Sequence, residues 1–286
     1  MTHIVDDLEQ LIRRDVLAKL GPDPSGELSV MPLASLLIIY FNWRARFIPV
    51  RPRQARLSAE LIASPKYLEH QEAFDFMLAK IESGDDLTPH LGRRVIEAYE
   101  PTTSRSSKNQ RRSDLDLLMA EWGIHHLHLS TDMEADGFVR RTKDLLFASF
   151  QSDDAYLIGI FEHGNWTRME LATITVRNWS HAGIFRESPS ALRLAQPTVE
   201  ADRPLVRNAG VTLALEIDGK VYMPPGQSVA GTPLRATMAS SHVVHTLRSL
   251  RDMLSSRPEE FSDAVREAGF DLSAATRWEA FFHEGW

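Results

Sequence analysis

The chain has no cysteine among its 286 residues, which removes disulfides, thiolate nucleophiles and cysteine-ligated zinc. That absence fits a reducing compartment. Long hydrophobic runs are missing too. The longest, Met31 to Phe41, is about half of what crosses a bilayer and leads into arginines, so it predicts a buried helix and no membrane partner. A surplus of positive charge is absent as well. The formal net charge of -7 argues against a surface coated by nucleic acid, because such binding rests on a basic footprint. No Gly-x-Ser-x-Gly occurs, so there is no nucleophile elbow. Residues 226–232 lack the Lys-Ser/Thr ending of a phosphate-binding loop. Acidic Asp6 and Asp7 stand where a signal peptide carries basic charge, and the expectation is a bacterial cytoplasmic protein.

What is present concentrates between Trp122 and His163. Trp122-Gly123-Ile124-His125-His126-Leu127-His128-Leu129-Ser130 reads as a strand. Alternation puts His126, His128 and Ser130 on one face and His125, Leu127 and Leu129 on the other. Arg140, Arg141 and Lys143 follow, then two apolar strands at 145–150 and 155–161 joined by Gln151-Ser152-Asp153-Asp154, ending at His163. Cleavage of RNA by its own 2'-hydroxyl needs a base, an acid and cations for the phosphorane charge, with no metal. His126 or His128 as base, His163 as acid, and Arg140, Arg141 and Lys143 as cations form such a set. No cofactor is called for.

The organisation reads as α+β. Residues 1–100 form a helical N-terminal region, with helices over 4–20, 32–46, 65–83 and 88–99, the last begun by Thr88-Pro89. A basic linker at 101–113 precedes an α/β segment at 114–180, a small antiparallel sheet flanked by helices. Ser113-x-x-Asp116 and Thr167-x-x-Glu170 open its helices as capping boxes. Residues 181–286 give a β-hairpin turned at Asp218-Gly219 and then helices at 234–254, 259–268 and 274–282.

A short helix, a strand of the type leucine, polar, leucine, a loop with basic residues, and Leu145-Leu146-Phe147-x-x-Phe150 hairpinned to Tyr156-Leu157-Ile158-x-Ile160-Phe161 resemble the small ribonuclease toxins of the RelE and HigB superfamily over about residues 114–178. The resemblance implies a microbial-RNase-like sheet, endoribonuclease activity of toxin or defence type, and an antitoxin partner. It also implies catalytic roles for Arg140, Arg141, Lys143 and His163. Those toxins are small and basic, whereas this chain is large and acidic.

Two other readings compete. In the first, the chain is a binding module for RNA or a protein. Arg44, Arg46, Arg51, Arg53 and Arg56 lie in a window without acid, Arg105, Lys108, Arg111 and Arg112 in another, and Trp43 stands beside guanidinium groups that stack on bases. In the second, His126-x-His128 binds a metal with His163, Asp132 or Glu134 as third ligand, and His242 with His245 makes a further pair one helical turn apart. The plain structural alternative is a set of hydrogen-bonded, inert histidines and arginines on solvated faces. Oligomeric state is left open by the sequence.

Overall fold

The computed structural model describes residues 3–101, 114–164, 168–191, 193–194 and 199–269. Expectations for the linker beyond residue 101, for Ser113 and Thr167, and for a helix at 274–282 lie outside these residues. Along the chain come α1 (His3–Leu20), α2 (Glu27–Val30), α3 (Leu33–Ala45), β1 (Gln54–Leu57), α4 (Ala59–Ile62), α5 (Pro65–Glu69) and α6 (Gln71–Ser83). Then follow α7 (Leu117–Trp122), β2 (His125–His128), β3 (Asp144–Phe150), β4 (Asp154–Glu162), α8 (Met169–Trp179), β5 (Arg186–Glu187), α9 (Arg203–Asn208), β6 (Leu215–Ile217), β7 (Lys220–Met223), α10 (Leu234–Ser256) and α11 (Pro258–Glu267). The fold is α+β, and no described helix is long and apolar enough to cross a membrane.

The described residues divide into two compact units. One comprises Asn42–Glu100 with Ser107–Arg235, the other Met1–Phe41, Pro101–Ser106 and Ala236–Trp286. The second is built of helices and their connections among the described residues. α1 buries Val5, Ile12, Val16 and Leu20, the stripe its sequence spacing demands. Ser240 Oγ donates to the Ala34 carbonyl at 2.7 Å, and Arg251 pairs with Asp6 at 2.8 Å.

The first unit is built on a four-stranded sheet in the order β1-β4-β3-β2. β3 and β4 are apolar on both faces and lie inside it, as near-continuous hydrophobic runs require. β1 pairs in parallel with β4, Gln54 opposite Asp154, so the sheet is mixed and takes a strand from within residues 1–100. Its sequence Gln-Ala-Arg-Leu is half polar because one face of this edge strand meets solvent. Ile158 is an extra residue between the pairs Phe147↔Gly159 and Ala148↔Leu157, a bulge that keeps both faces apolar.

Each face buries a separate core. Leu146, Ala148, Leu157 and Ile160 pack with Leu127 and with Phe74, Met77 and Ile81 of α6. Leu145, Phe147, Tyr156 and Ile158 pack with Leu171, Ile174 and Trp179 of α8, with Trp122, and with Leu215, Ile217 and Tyr222 of the small β5-β7-β6 sheet. That sheet turns at Asp218 and Gly219, both with positive φ, 51° and 75°, as a two-residue hairpin of this type requires.

Three helical expectations are modified. The run 65–83 breaks at His70, whose φ is -108°. Residues 88–99 hold two 3-10 turns, Thr88–His90 and Arg93–Ile96, because Leu91 and Gly92 are extended. α7 is capped by Asp116, whose Oδ1 accepts from Met119 N at 3.1 Å, and it ends at Gly123, where φ of 68° suits glycine.

Candidate functional site at the rim of the sheet

β2 is the edge strand on the side of β3. His126 lies opposite Phe147 and His128 opposite Leu145, so both share the face toward α8, the common side that alternation predicts. They differ in exposure. His128 is buried, and its Nδ1 accepts from the backbone N of Thr142 at 3.1 Å. Burial first, then the neighbouring His126, Arg141 and His163, push it down to about 4, so the ring is neutral at pH 7. His126 is half-buried, with Nδ1 3.7 Å from Asp116 Oδ2. His125 faces the opposite core against Phe150, and neither of its ring nitrogens meets a hydrogen-bond partner. Burial, with Arg235 next in weight, holds it at about 4.

The basic trio stands where β3 begins and β4 ends. Arg140 is exposed and pairs with Asp132 at 2.9 Å. Lys143 is exposed and pairs with Glu162 at 3.0 Å. Arg141 is exposed and, among the described residues, has no carboxylate within ion-pair distance. His163 is exposed at the same rim, its backbone N donating to the Lys143 carbonyl at 2.8 Å. Partial burial of the ring, with Arg141 nearby, lowers its pKa.

The sequence reading overlooked a second group at this rim. His70 Nε2 lies 3.0 Å from Asp144 Oδ2, and Asp144 also receives Lys66. Burial acts to raise the Asp144 pKa, but the bonds from Lys66 and His70 outweigh it and hold the carboxyl below its ordinary value. Asp144 opposes Glu162 across β3 and β4, and Lys66 lies 4.0 Å from Glu162. By alternation this group stands on the α6 face of that sheet end and His163 on the α8 face. His70 and Asp144 are 74 positions apart. The only sequence signals were a histidine inside a predicted helix and an acid opening an apolar strand beside three bases.

The 44–56 arginine window is spent largely on the protein itself. Arg46 is buried and donates to the carbonyls of Arg94, at 3.0 Å, and Glu97. Arg53 is buried and donates to Gln151 O at 2.7 Å, Pro49 O at 2.9 Å and Arg51 O at 3.2 Å. Arg56 pairs with Asp154 at 2.9 Å. Exposed Arg51 lies 3.5 Å from the Ser152 carbonyl, and exposed Arg44 lies over Phe47. Trp43 Nε1 donates to Val95 O at 3.0 Å, which makes it a packing residue. A buried guanidinium holding two or three carbonyls is not available to phosphate, so Arg46 and Arg53 do not sit where a nucleic-acid contact needs them.

For metals, the acids expected as third ligands are held by arginine, Asp132 by Arg140 and Glu134 by Arg93. Among the described residues the donor atoms that lie within 4.8 Å of one another belong to Glu69, His70 and Asp144, where Lys66 already occupies Asp144. His242 and His245 are exposed on α10. In comparisons with protein-family models, with curated proteins and with solved structures, the chain matches none.

Proposed function

We propose that the chain is a metal-independent endoribonuclease acting at the rim formed by the start of β3 and the end of β4. The observation that carries this reading is the gathering of His163 and Arg141 above the buried His128, with His70 held by Asp144 at the same end of the sheet. His163 is exposed and neutral at pH 7, which suits a base taking the proton of a 2'-hydroxyl. The oxygen attacks phosphorus, the bond to the 5'-oxygen breaks, and a 2',3'-cyclic phosphate forms. Arg141 and Lys143 stand for the cations that stabilise the phosphorane. His70, oriented through Nε2 by Asp144, presents its other nitrogen to protonate the leaving 5'-oxygen, the logic of a base fixed by a third group. His126 and His128 act in this reading by packing behind the rim, and Arg140 by local field alone. An antitoxin-like partner would cover the rim.

The test uses a fluorescent RNA, its DNA counterpart and EDTA. Expected are cleavage of RNA but not DNA, a cyclic phosphate product, indifference to EDTA, and a loss of about 100-fold or more in His163→Ala without unfolding. Cleavage abolished by EDTA would instead favour a metal bound by Glu69, His70 and Asp144. Salt-dependent RNA association without turnover would replace the enzyme by a binding module.

A further inference from the structure

At the other end of β3 lies a cavity of about 170 Å³. Ser149 is five residues from Asp144, about 17 Å along a strand, so this space is separate from the catalytic rim. Its walls include Trp122 at the end of α7, Ser149 and Phe150 at the end of β3, Ile184, Pro225 and Arg235. The connection from Pro225 to Pro233 has the glycines of an anion-holding loop, but its backbone is already engaged. Gly226 N donates to Glu121 O at 2.8 Å, Ser228 N to Thr232 O at 2.8 Å and Leu234 N to Gly226 O at 2.9 Å. The loop is therefore a fixed wall.

Three side chains of the wall carry donors. Ser149 is buried as a residue, 5% exposed, and its hydroxyl has no hydrogen-bond partner among the described residues. The indole N–H of Trp122 is buried with no acceptor. Exposed Arg235 reaches only the Ala45 carbonyl at 3.4 Å and Met119 Sδ at 3.5 Å, and has no carboxylate partner among the described residues. The carbonyl of Gln151 is taken by Arg53 at 2.7 Å, and its side-chain amide donates to Ala182 O at 2.8 Å. A guanidinium and a hydroxyl with no acid beside them suit an occupant that supplies acceptors and negative charge, and the buried indole N–H that meets no acceptor is costly until one is supplied. The remaining wall is apolar and partly aromatic, and a space of roughly 150 Å³ holds one benzene ring.

We propose that this cavity binds a small aromatic carboxylate, the ring against Trp122 and Phe150 and the carboxylate on Arg235 and Ser149. Bidentate pairing with a guanidinium that has no carboxylate partner among the described residues orients such a group. The experiment titrates the full chain with benzoate and with the neutral isostere benzamide by calorimetry, following the Trp122 indole N–H in a 15N–1H spectrum. Expected are benzoate affinity at least tenfold above that for benzamide and a shift of the Trp122 signal on saturation. Arg235→Gln should bring benzoate down to the benzamide level, and Ser149→Ala should weaken it severalfold, both with unchanged circular dichroism. Absence of benzoate binding, equal affinity for the two probes, or benzoate affinity unmoved by Arg235→Gln would overturn the proposal.

Discussion

The polar side chains of residues 42–57 and those of residues 140–143 occupy opposite situations in the same unit. Arg46 and Arg53 point into the protein and satisfy backbone carbonyls that no strand partner reaches. Arg140, Arg141 and Lys143 stand in solvent, two of them in exposed pairs with Asp132 and Glu162. The histidines divide the same way, His125 and His128 buried and His163 exposed. A fork of five donors makes arginine a structural clamp wherever several carbonyls converge. The same fork in water is a mobile charge worth little to stability and much to a polyanion.

The largest way to sharpen this contrast is acid. His125 and His128 are held at about 4 in the folded protein, against about 6.5 when unfolded. Between those values the unfolded chain binds more protons, so stability falls as pH falls. Each histidine removes about 1.4 kcal/mol per pH unit within the window, about 3 kcal/mol across it. Below the window both states are charged, and above it both are neutral, so the slope vanishes on either side. Urea unfolding at pH 7, 6 and 5 should show a slope that grows to two protons or more at pH 5, with buried His90 adding to it, and His125→Phe should remove about one of them. A flat profile would mean that the interior histidines are wet.

Next comes Arg53→Ala. Three carbonyls lose their donor, and the guanidinium also lies over Phe150, 5.6 Å from the ring centroid. The expected loss is about 3 kcal/mol in chemical denaturation, with RNA cleavage per folded molecule unchanged. A stable variant with weakened RNA binding would break the comparison by moving Arg53 to the functional side. The mirror experiment is Arg141→Ala. Cleavage should drop by about 100-fold, as for other single groups that stabilise transition-state charge, while the urea midpoint stays put.

Much of the scaffold was legible because periodicity and turn chemistry are local. The apolar stripe of α1, the two-faced apolar runs of β3 and β4, and the Asp218-Gly219 hairpin follow from the residues themselves. β1 was not legible, since Gln54-Ala55-Arg56-Leu57 becomes a strand only through its pairing with β4. The 3-10 turns at 88–96 escaped because threonine and proline open either helix type. At the rim, His163 and the basic trio stood out as residue types, but their partner His70 did not, its bond to Asp144 joining elements that meet only after folding. The clamps Arg46 and Arg53 looked like a polyanion patch because their partners are backbone carbonyls, which leave no trace in side-chain composition.

The smallest effect separates two neighbours at the rim. Arg140 and Asp132 form a pair with side chains 67% and 62% exposed, a geometry in which screening and side-chain entropy cancel most of the attraction. Arg140→Ala should change stability by less than about 0.5 kcal/mol. Its guanidinium is already matched by a carboxylate, whereas Arg141 next to it has none within ion-pair distance among the described residues. Arg140→Ala should therefore lower RNA cleavage by no more than severalfold, and its effect should fade as salt rises, because an exposed charge acts through a screened field. Arg141→Ala should keep its full deficit at the same salt, as the proposed direct contact with the phosphate requires. Equal losses in the two variants with equal salt dependence would mean that the rim works as a diffuse basic field, and the distinction between a catalytic cation and its neighbour would fall.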